Sequence, residues 1–231
     1  MISVLIIGNG NVATHLTTAF LKSDTVSVTQ INSRNLKDIP PAEVTIIAVS
    51  DDAIAEVSSK INNGFVVHTS GSVSMHDLQN TTTKGVFYML QTFTKEKKVT
   101  FSKIPFCLEV EDPKNYTLLE KVAKSIGKKV YSINSEQRKI LHVAAVFVNN
   151  FTNHLYKIAN DICQNNNVSF EILQPLIEET AKKIQMVSPA NAQTGPAIRK
   201  DLKTIKKHLQ LLNGDSKKIY KTLTKSILNE H

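Results

Sequence analysis

The sequence predicts a two-part protein of the α/β class: an N-terminal domain built on a mostly parallel sheet, then an all-α C-terminal domain. Three observations predict it. Short β-branched runs alternate with helical stretches as far as Asn134. A glycine-bearing turn joins the first run to the first helix in "ISVLIIGNGNVATHL". From Ser135 onward only helical periodicity remains. The alternation calls for right-handed crossovers between parallel neighbours. The expected domains are residues 1–134 and 135–231.

The elements follow in order. Val4–Ile7 is wholly apolar, as a strand buried on both faces must be. Residues 11–22 carry Val12, Leu16, Ala19 and Phe20 along one helical side. Val26–Ile31 and Val44–Val49 read as further strands, and "DDAIAEVSSKI" as a helix between the latter and Phe65–His68. Val86–Leu90, Ile104–Val110 and Lys129–Ile133 complete the set, with a helix starting near Asp112–Pro113 between the last two. Beyond Ser135, about four helices are expected, broken near "QNNNVS", "SPANAQTGP" and "NGD". Leu141, Ala144, Val148, Phe151 and Leu155 share one side of the first of them and are expected to form core.

Bulk properties narrow the function. With 231 residues and 41% hydrophobic content, the chain can bury a real core. No apolar run is long enough to span a bilayer, and no basic region precedes the N-terminal apolar stretch. A cytoplasmic protein without a membrane partner is expected. Cys107 and Cys163 form no CxxC pair and show no metal-ligand spacing, so reduced thiols and no metal are expected. The net charge of +8 is spread along the chain, without aromatic-interleaved clusters. That pattern suits a solvated lysine-rich surface rather than a nucleic-acid partner.

The chemistry starts at Gly8-Asn9-Gly10-Asn11-Val12-Ala13, which fits G-x-G-x-x-A. The first glycine permits the sharp turn out of the strand. The second lets backbone approach a pyrophosphate, and the third small residue lets helix and strand pack closely. The free N–H groups of the helix start then face the anion. The fold expected is therefore a Rossmann NAD(P)-binding domain. NAD sites carry Asp or Glu about 20 residues past the loop, at the tip of the second strand. This chain has Asn32-Ser33-Arg34 there. Ser33 can donate to a 2′-phosphate and Arg34 can pair with it, which favours NADP(H); Arg34 is otherwise an exposed loop arginine. Val49 and Ser50, ending the third strand, are expected to border the cofactor. Asp51 reads first as a helix cap.

The segments "IGNGNVATHL", "AVSDDAI", "HTSGS", "LQTF", "HVAAVFVNNFTNHLY" and "AQTGPAIRKD" together resemble the Rossmann-like proteins with a DUF2520 C-terminal domain. These belong to the wider 6-phosphogluconate-dehydrogenase-like reductases, which include pyrroline-5-carboxylate reductase and ketopantoate reductase. The resemblance covers nearly the whole chain. It implies an NADP-dependent oxidoreductase with a 6-phosphogluconate-dehydrogenase C-terminal-like helical domain, often a homodimer through that domain. It also implies reduction of a small 2-oxo or imino acid, ketopantoate-like, at the interdomain cleft. One departure stands out. Hydroxyacid dehydrogenases of the wider group carry a catalytic lysine four residues before an asparagine on the long helix. Here Asn149 and Asn150 are preceded at that distance by Ala145 and Val146. A non-catalytic NADP-binding sensor is the alternative this raises.

Hydride transfer requires placement and a group that protonates or polarises the developing oxyanion or amine. On a helical wheel, Arg138, His142, Asn149, Asn153 and Tyr156 fall within about 60° of one another. The stripe lines a cleft or is simply the solvent face. His142 is the preferred general acid, since histidine titrates near neutral pH. Asn149 and Asn150 are candidates to hold a substrate carbonyl or the nicotinamide carboxamide. Ser70 and Gly71 of "HTSGS", together with Asn153 and Arg199, are candidates for a small carboxylate substrate. Pro196 suits a helix first turn, which would put Arg199 and Lys200 near a helix start, where the dipole disfavours cations. Arg199 then binds a carboxylate or pairs with Asp201. Asp201 and His208 read as a further possible pair.

Overall fold

The computed structural model describes residues 1–230. The chain divides into two compact units, Met1–Asn149 and the part from Asn150 onward. The first unit is a seven-stranded sheet flanked by helices. Its strands are β1 (Ile2–Ile7), β2 (Val26–Ile31), β3 (Val44–Ile47), β4 (Phe65–His68), β5 (Lys84–Met89), β6 (Pro105–Val110) and β7 (Lys129–Ser132). Helix α1 (Asn11–Phe20) follows β1, α2 (Ile54–Ser59) follows β3, α3 (Tyr116–Lys124) follows β6, and α4 (Ser135–Ala145) follows β7.

The strand order is β2-β1-β3-β4-β5-β6-β7. Every neighbouring pair is parallel except β5 and β6, which run antiparallel. The expected mostly parallel sheet is therefore present, with one reversal. Between β5 and β6 the chain has only a single 3-10 turn, Phe101–Lys103. An antiparallel neighbour can be reached without a crossover helix, which a parallel one needs.

Side-chain alternation sorts the two faces. Val4, Ile6, Val44, Ile46 and Val67 pack with Ala13, Leu16 and Phe20 of α1 and with Leu119 and Val122 of α3. Leu5, Ile7, Ile47 and Val66 pack with Ile54 and Val57 of α2. Strands covered on both faces lose the polar alternation, which is why they read as continuous apolar runs. β3 stops two residues short of the expected Val49, although the Ala48 amide still donates to the Ile7 carbonyl at 2.8 Å.

The change from alternating to helical structure falls at Asn134, yet α4 packs with the sheet and belongs to the first unit. The cause is a polar clasp. Glu109 of β6 accepts from the Ser135 amide at 2.8 Å and its hydroxyl at 2.7 Å, and from Arg138 Nη1 at 2.5 Å. Arg138 Nη2 also donates to the Val73 carbonyl. The Arg138 side chain is completely buried. It is therefore part of the interior and not of a cleft-lining stripe. His68, at the end of β4, is also fully buried.

After α4 the helix continues through a π-helical turn, Val146–Phe151. A wheel drawn at 100° per residue cannot be carried through such a turn, so the expected stripe does not extend past it. The expected core side is also not core in the single chain. Leu141 is half-buried, while Ala144 is exposed and Val148 is 74% exposed. The second unit holds α5 (Thr152–Asn165), α6 (Gln174–Lys183), α7 (Pro189–Ala192), α8 (Leu202–Leu211) and α9 (Gly214–Glu230). Among its described residues, only Ala197 and Ile205 are buried apolar side chains, and Phe151 and Leu155 are exposed. No helix among the described residues is long and apolar enough to cross a membrane.

Two stability predictions follow from the clasp. Arg138→Met leaves Glu109 without its cation, and the loss should be about 3–5 kcal/mol in urea unfolding. The second concerns His68, whose pKa is pushed down to about 4, first by burial and then by the Arg138 cation. Unfolded histidine titrates near 6.5. The unfolded chain therefore gains a proton that the fold refuses as pH falls from 6.5 towards 4. The stability His68 contributes is intact above that window and lost within it, by roughly 3 kcal/mol. Urea midpoints at pH 7 and pH 4.5 should fall further apart for the wild type than for His68→Gln.

Candidate functional site

At the carboxyl edge of the sheet, the order reverses between β1 and β3, with α1 and α2 on opposite faces. Doubly wound sheets bind ligands in the crevice at such a switch point. The local sequence builds that crevice. Gly8 ends β1 with φ +141°, and a Cβ there would lie 2.1 Å from the Ala48 carbonyl oxygen. Only glycine permits both the turn and the contact. The Gly8 amide donates to the Ile31 carbonyl at 3.0 Å, and Gln30 Nε2 donates to the Gly8 carbonyl at 2.8 Å. Gly10 differs: its φ is −75°, and a Cβ would meet nothing within 4 Å. Open space therefore lies over the loop at Gly10. No side chain caps the start of α1, and no acid stands in its first turn.

These residues border a cavity of about 1120 Å³. Asn9, Gly10, Asn11, Val12, Ser33, Arg34, Val49 and Ser50 all line it. Gly8 is buried beneath them. The expected cofactor residues are thus brought together. At the tip of β2, Asn32 Oδ1 accepts from the Arg34 amide at 2.9 Å and shapes the turn that carries Ser33 and Arg34. Arg34 is exposed, and among the described residues its side chain has no ion pair. Asp51 does not cap the following helix; its carboxylate accepts from Ser72 Oγ and ties the turn after β3 to that after β4.

Several lining residues escaped the sequence reading. Ala53, Glu56, Val57 and Lys60 face the cavity at the i, i+3, i+4, i+7 spacing of one helical face. That spacing was legible, but its orientation was not. Lys60 Nζ pairs with Glu56 Oε1 at 2.7 Å. Thr69, Gln91 and Phe93 close the far wall. Asn11 Nδ2 donates to the Phe93 carbonyl at 3.1 Å, so α1 holds this segment in place.

Just past Thr69, Ser70 and Gly71 are buried. Ser70 Oγ accepts from the Ser72 amide at 3.1 Å and the Val73 amide at 3.0 Å, so this hydroxyl holds its own turn. The half-buried His142 lies against Gly71 and reaches the Tyr88 hydroxyl at 3.3 Å through Nδ1. Burial pushes the Tyr88 hydroxyl and the Cys107 thiol upward, the latter to about 11, so both stay protonated.

Asn149 and Asn150 are exposed within the π-helical turn. Asn153 and Arg199 are exposed and belong to the second unit. Pro196 does not open a helix. Asp201 caps α8, accepting from the Thr204 amide at 3.0 Å, so Arg199 and Lys200 sit in the preceding turn. Lys200 has φ +54° there. His208 Nδ1 meets the Tyr220 hydroxyl at 2.8 Å, so its hydrogen-bond partner is not Asp201. Among the described residues there is no cluster of His, Cys, Asp or Glu that could hold a metal.

Residues 104–227 match the family model described as "Domain of unknown function (DUF2520)". The chain is 35% identical to a Bacteroides fragilis protein described as a candidate NADP oxidoreductase, with a TM-score of 0.88 over 99% of this chain and 98% of that one. It is similar to the pyrroline carboxylate reductase of Plasmodium falciparum, solved with NADP bound, at 10% identity and a TM-score of 0.63, covering 99% and 96% of the two chains. It is also similar to an imine reductase of Myxococcus stipitatus in complex with NADP+, at 13% identity and a TM-score of 0.62, covering 98% and 92%. At such identities these two reductases share the fold. No curated protein matches by sequence. With more than half its length on that family model, and a relative of the same build along almost all of it, the chain belongs to the DUF2520 family of two-domain Rossmann proteins.

Proposed function

We propose that this protein is an NADP(H)-dependent oxidoreductase that reduces a small 2-oxo or imino acid. The observation that carries the reading is the switch-point cavity: open amides at the start of α1, and Ser33 with Arg34 in place of an acid at the tip of β2. The residues fit the cofactor. The empty space over Gly10 admits a pyrophosphate, which the uncapped helix start would hold. Ser33 and Arg34 would take the 2′-phosphate, and Val49 and Ser50 would flank the bound nucleotide. The description of the Bacteroides fragilis relative supports a nicotinamide cofactor.

NADPH, when bound, supplies two electrons as a hydride to the carbonyl or imine carbon. The protein must hold that carbon in place and provide a proton for the oxygen or nitrogen. His142 is the proton donor in this reading. Asn149 and Asn150 orient the carbonyl or the carboxamide. Gly71 and Ser70 shape the floor, and Asn153 and Arg199 receive the substrate carboxylate. A second reading, an NADP-binding sensor without turnover, is favoured by Ala145 and Val146, which stand where related dehydrogenases carry lysine. Steady NADPH oxidation with a panel of 2-oxo acids supports the reductase; tight binding without oxidation supports the sensor.

A second copy of the chain completes the proposal. In the helical unit, Ile172 is 69%, Leu176 61% and Met186 80% exposed, with Leu155, Ile162, Ile184 and Val187 also uncovered. These uncovered apolar side chains are what a partner copy would cover, and each side of a stable interface buries about 800 Å². Sedimentation should report a dimer, and a monomer at micromolar concentration would remove this part.

Arg34→Ala should weaken NADPH by one to two decades, since a charge-assisted bond contributes about 1.5–3 kcal/mol. NADH binding should hardly change. Equal weakening of both in calorimetry would refute the 2′-phosphate assignment. Gly10→Ala should fold normally and lose NADPH, because its Cβ enters open space that the pyrophosphate needs. Gly8→Ala should fold poorly, because its Cβ collides with Ala48.

A further inference from the structure

His142 rests on a platform made by two residues that no helical pattern marks. The Tyr88 hydroxyl lies 3.3 Å from His142 Nδ1, and the two rings meet edge to face at 6.2 Å between centroids. Beneath them is Gly71. A Cβ on Gly71 would fall 2.5 Å from His142 Nδ1 and 3.0 Å from Tyr88 Cε2. Gly71 is not among the residues with positive φ, so space alone requires the glycine there. The clasp of Arg138, one turn earlier on α4, fixes the helix that carries His142.

We propose that Tyr88 is a positioning residue for His142: it occupies Nδ1 and leaves Nε2 as the single N–H of the ring. This rests on the reductase reading and names Nε2 as the atom that would meet the substrate oxygen or nitrogen: the neutral ring donates a hydrogen bond there, and to give that proton up it takes a second one at Nδ1, the Tyr88 hydroxyl turning to accept from it, so that neutral imidazole is left.

The hydrogen count sets the direction of the bond. Tyr88 is 8% exposed, and its hydroxyl remains protonated. Among the described residues, His142 is the only acceptor its hydroxyl reaches. If Nδ1 carried the ring hydrogen, the tyrosine proton would have no partner in a nearly buried site, which is costly. The hydroxyl therefore donates to Nδ1, and the ring hydrogen sits on Nε2. Among the described residues Nε2 has no hydrogen-bond partner, and the ring is partly exposed. Its position suits the role. Gly71 lies two residues beyond Thr69, which lines the cofactor cavity, and Gln91, three residues past Tyr88, lines it as well. Two residues of extended chain span at most about 7 Å, so the imidazole stands close to the wall of that cavity.

The test is ¹⁵N-histidine NMR on the full chain with bound NADP+, the His142 signals being identified by their loss in His142→Gln. In the wild type, His142 should be the Nε2–H tautomer, with Nδ1 displaced upfield as a hydrogen-bond acceptor. Tyr88→Phe should lose that displacement, and Gly71→Ala, which moves the ring without straining the backbone, should lose it too. An Nδ1–H tautomer, or a spectrum unchanged by Tyr88→Phe, overturns the proposal. Oxamate, a 2-oxo acid analogue that is not reduced, should move the Nε2 resonance of the NADP+ complex; no displacement overturns the substrate contact. NADP+ binding is measured separately by calorimetry. Failure to bind it refutes the reductase reading, whereas the Tyr88 result is read from the tautomer.

Discussion

The contact between Gly8 and the Ala48 carbonyl governs the rest of the site. β1 and β3 are hydrogen-bonded neighbours, and beyond Gly8 and Ala48 the chain leaves them towards opposite faces of the sheet. A side chain at Gly8 would force the two strand ends apart. Because they stay together, the amides at the start of α1 and the tip of β2 open onto one cavity. Gln30 strengthens the arrangement from the neighbouring strand by holding the Gly8 carbonyl. The cavity is thus a product of backbone packing, and only its far rim is set by charged side chains.

A second constraint acts at the other end of the sheet. A buried arginine is expensive unless its charge and its N–H groups are met. The charge of Arg138 is met by Glu109 and its two terminal nitrogens by Glu109, Ser135 Oγ and the Val73 carbonyl, which come from β6, α4 and the turn after β4, while among the described residues its buried Nε has no partner. One guanidinium therefore joins three segments distant in sequence. The neutral His68 nearby suits this environment, since a second cation beside Arg138 would be repelled. The clasp also explains why the compact units divide inside the long helical stretch and not at its start.

Much of this was legible in the residues. Strands β2 and β4 match their expected limits, because β-branched runs bounded by polar turns leave little choice. The glycine turn and the residues after β2 were readable because each follows from a local backbone need. What was not legible depends on tertiary packing. The burial of Arg138 needs Glu109 from another element. The π-helical turn has no local signature, and it invalidated a wheel that assumed one angle throughout. Tyr88 reads simply as part of a strand, since its partner lies 54 residues away. Pro196 suggests a helix start that would hold Arg199, whereas the Asp201 carboxylate is the stronger cap.

The reversal at β5 and β6 has a consequence for where α4 can go. Because β6 and β7 point the opposite way, β7 delivers the chain back towards the amino side of the sheet. The next helix must climb. Ser135 meets Glu109, whose strand partner is Val86, and two turns later His142 meets Tyr88, further up the same strand. With an all-parallel sheet, α4 would set out from the cavity side and travel away from it. One change of strand polarity thus converts a departing helix into an arriving one.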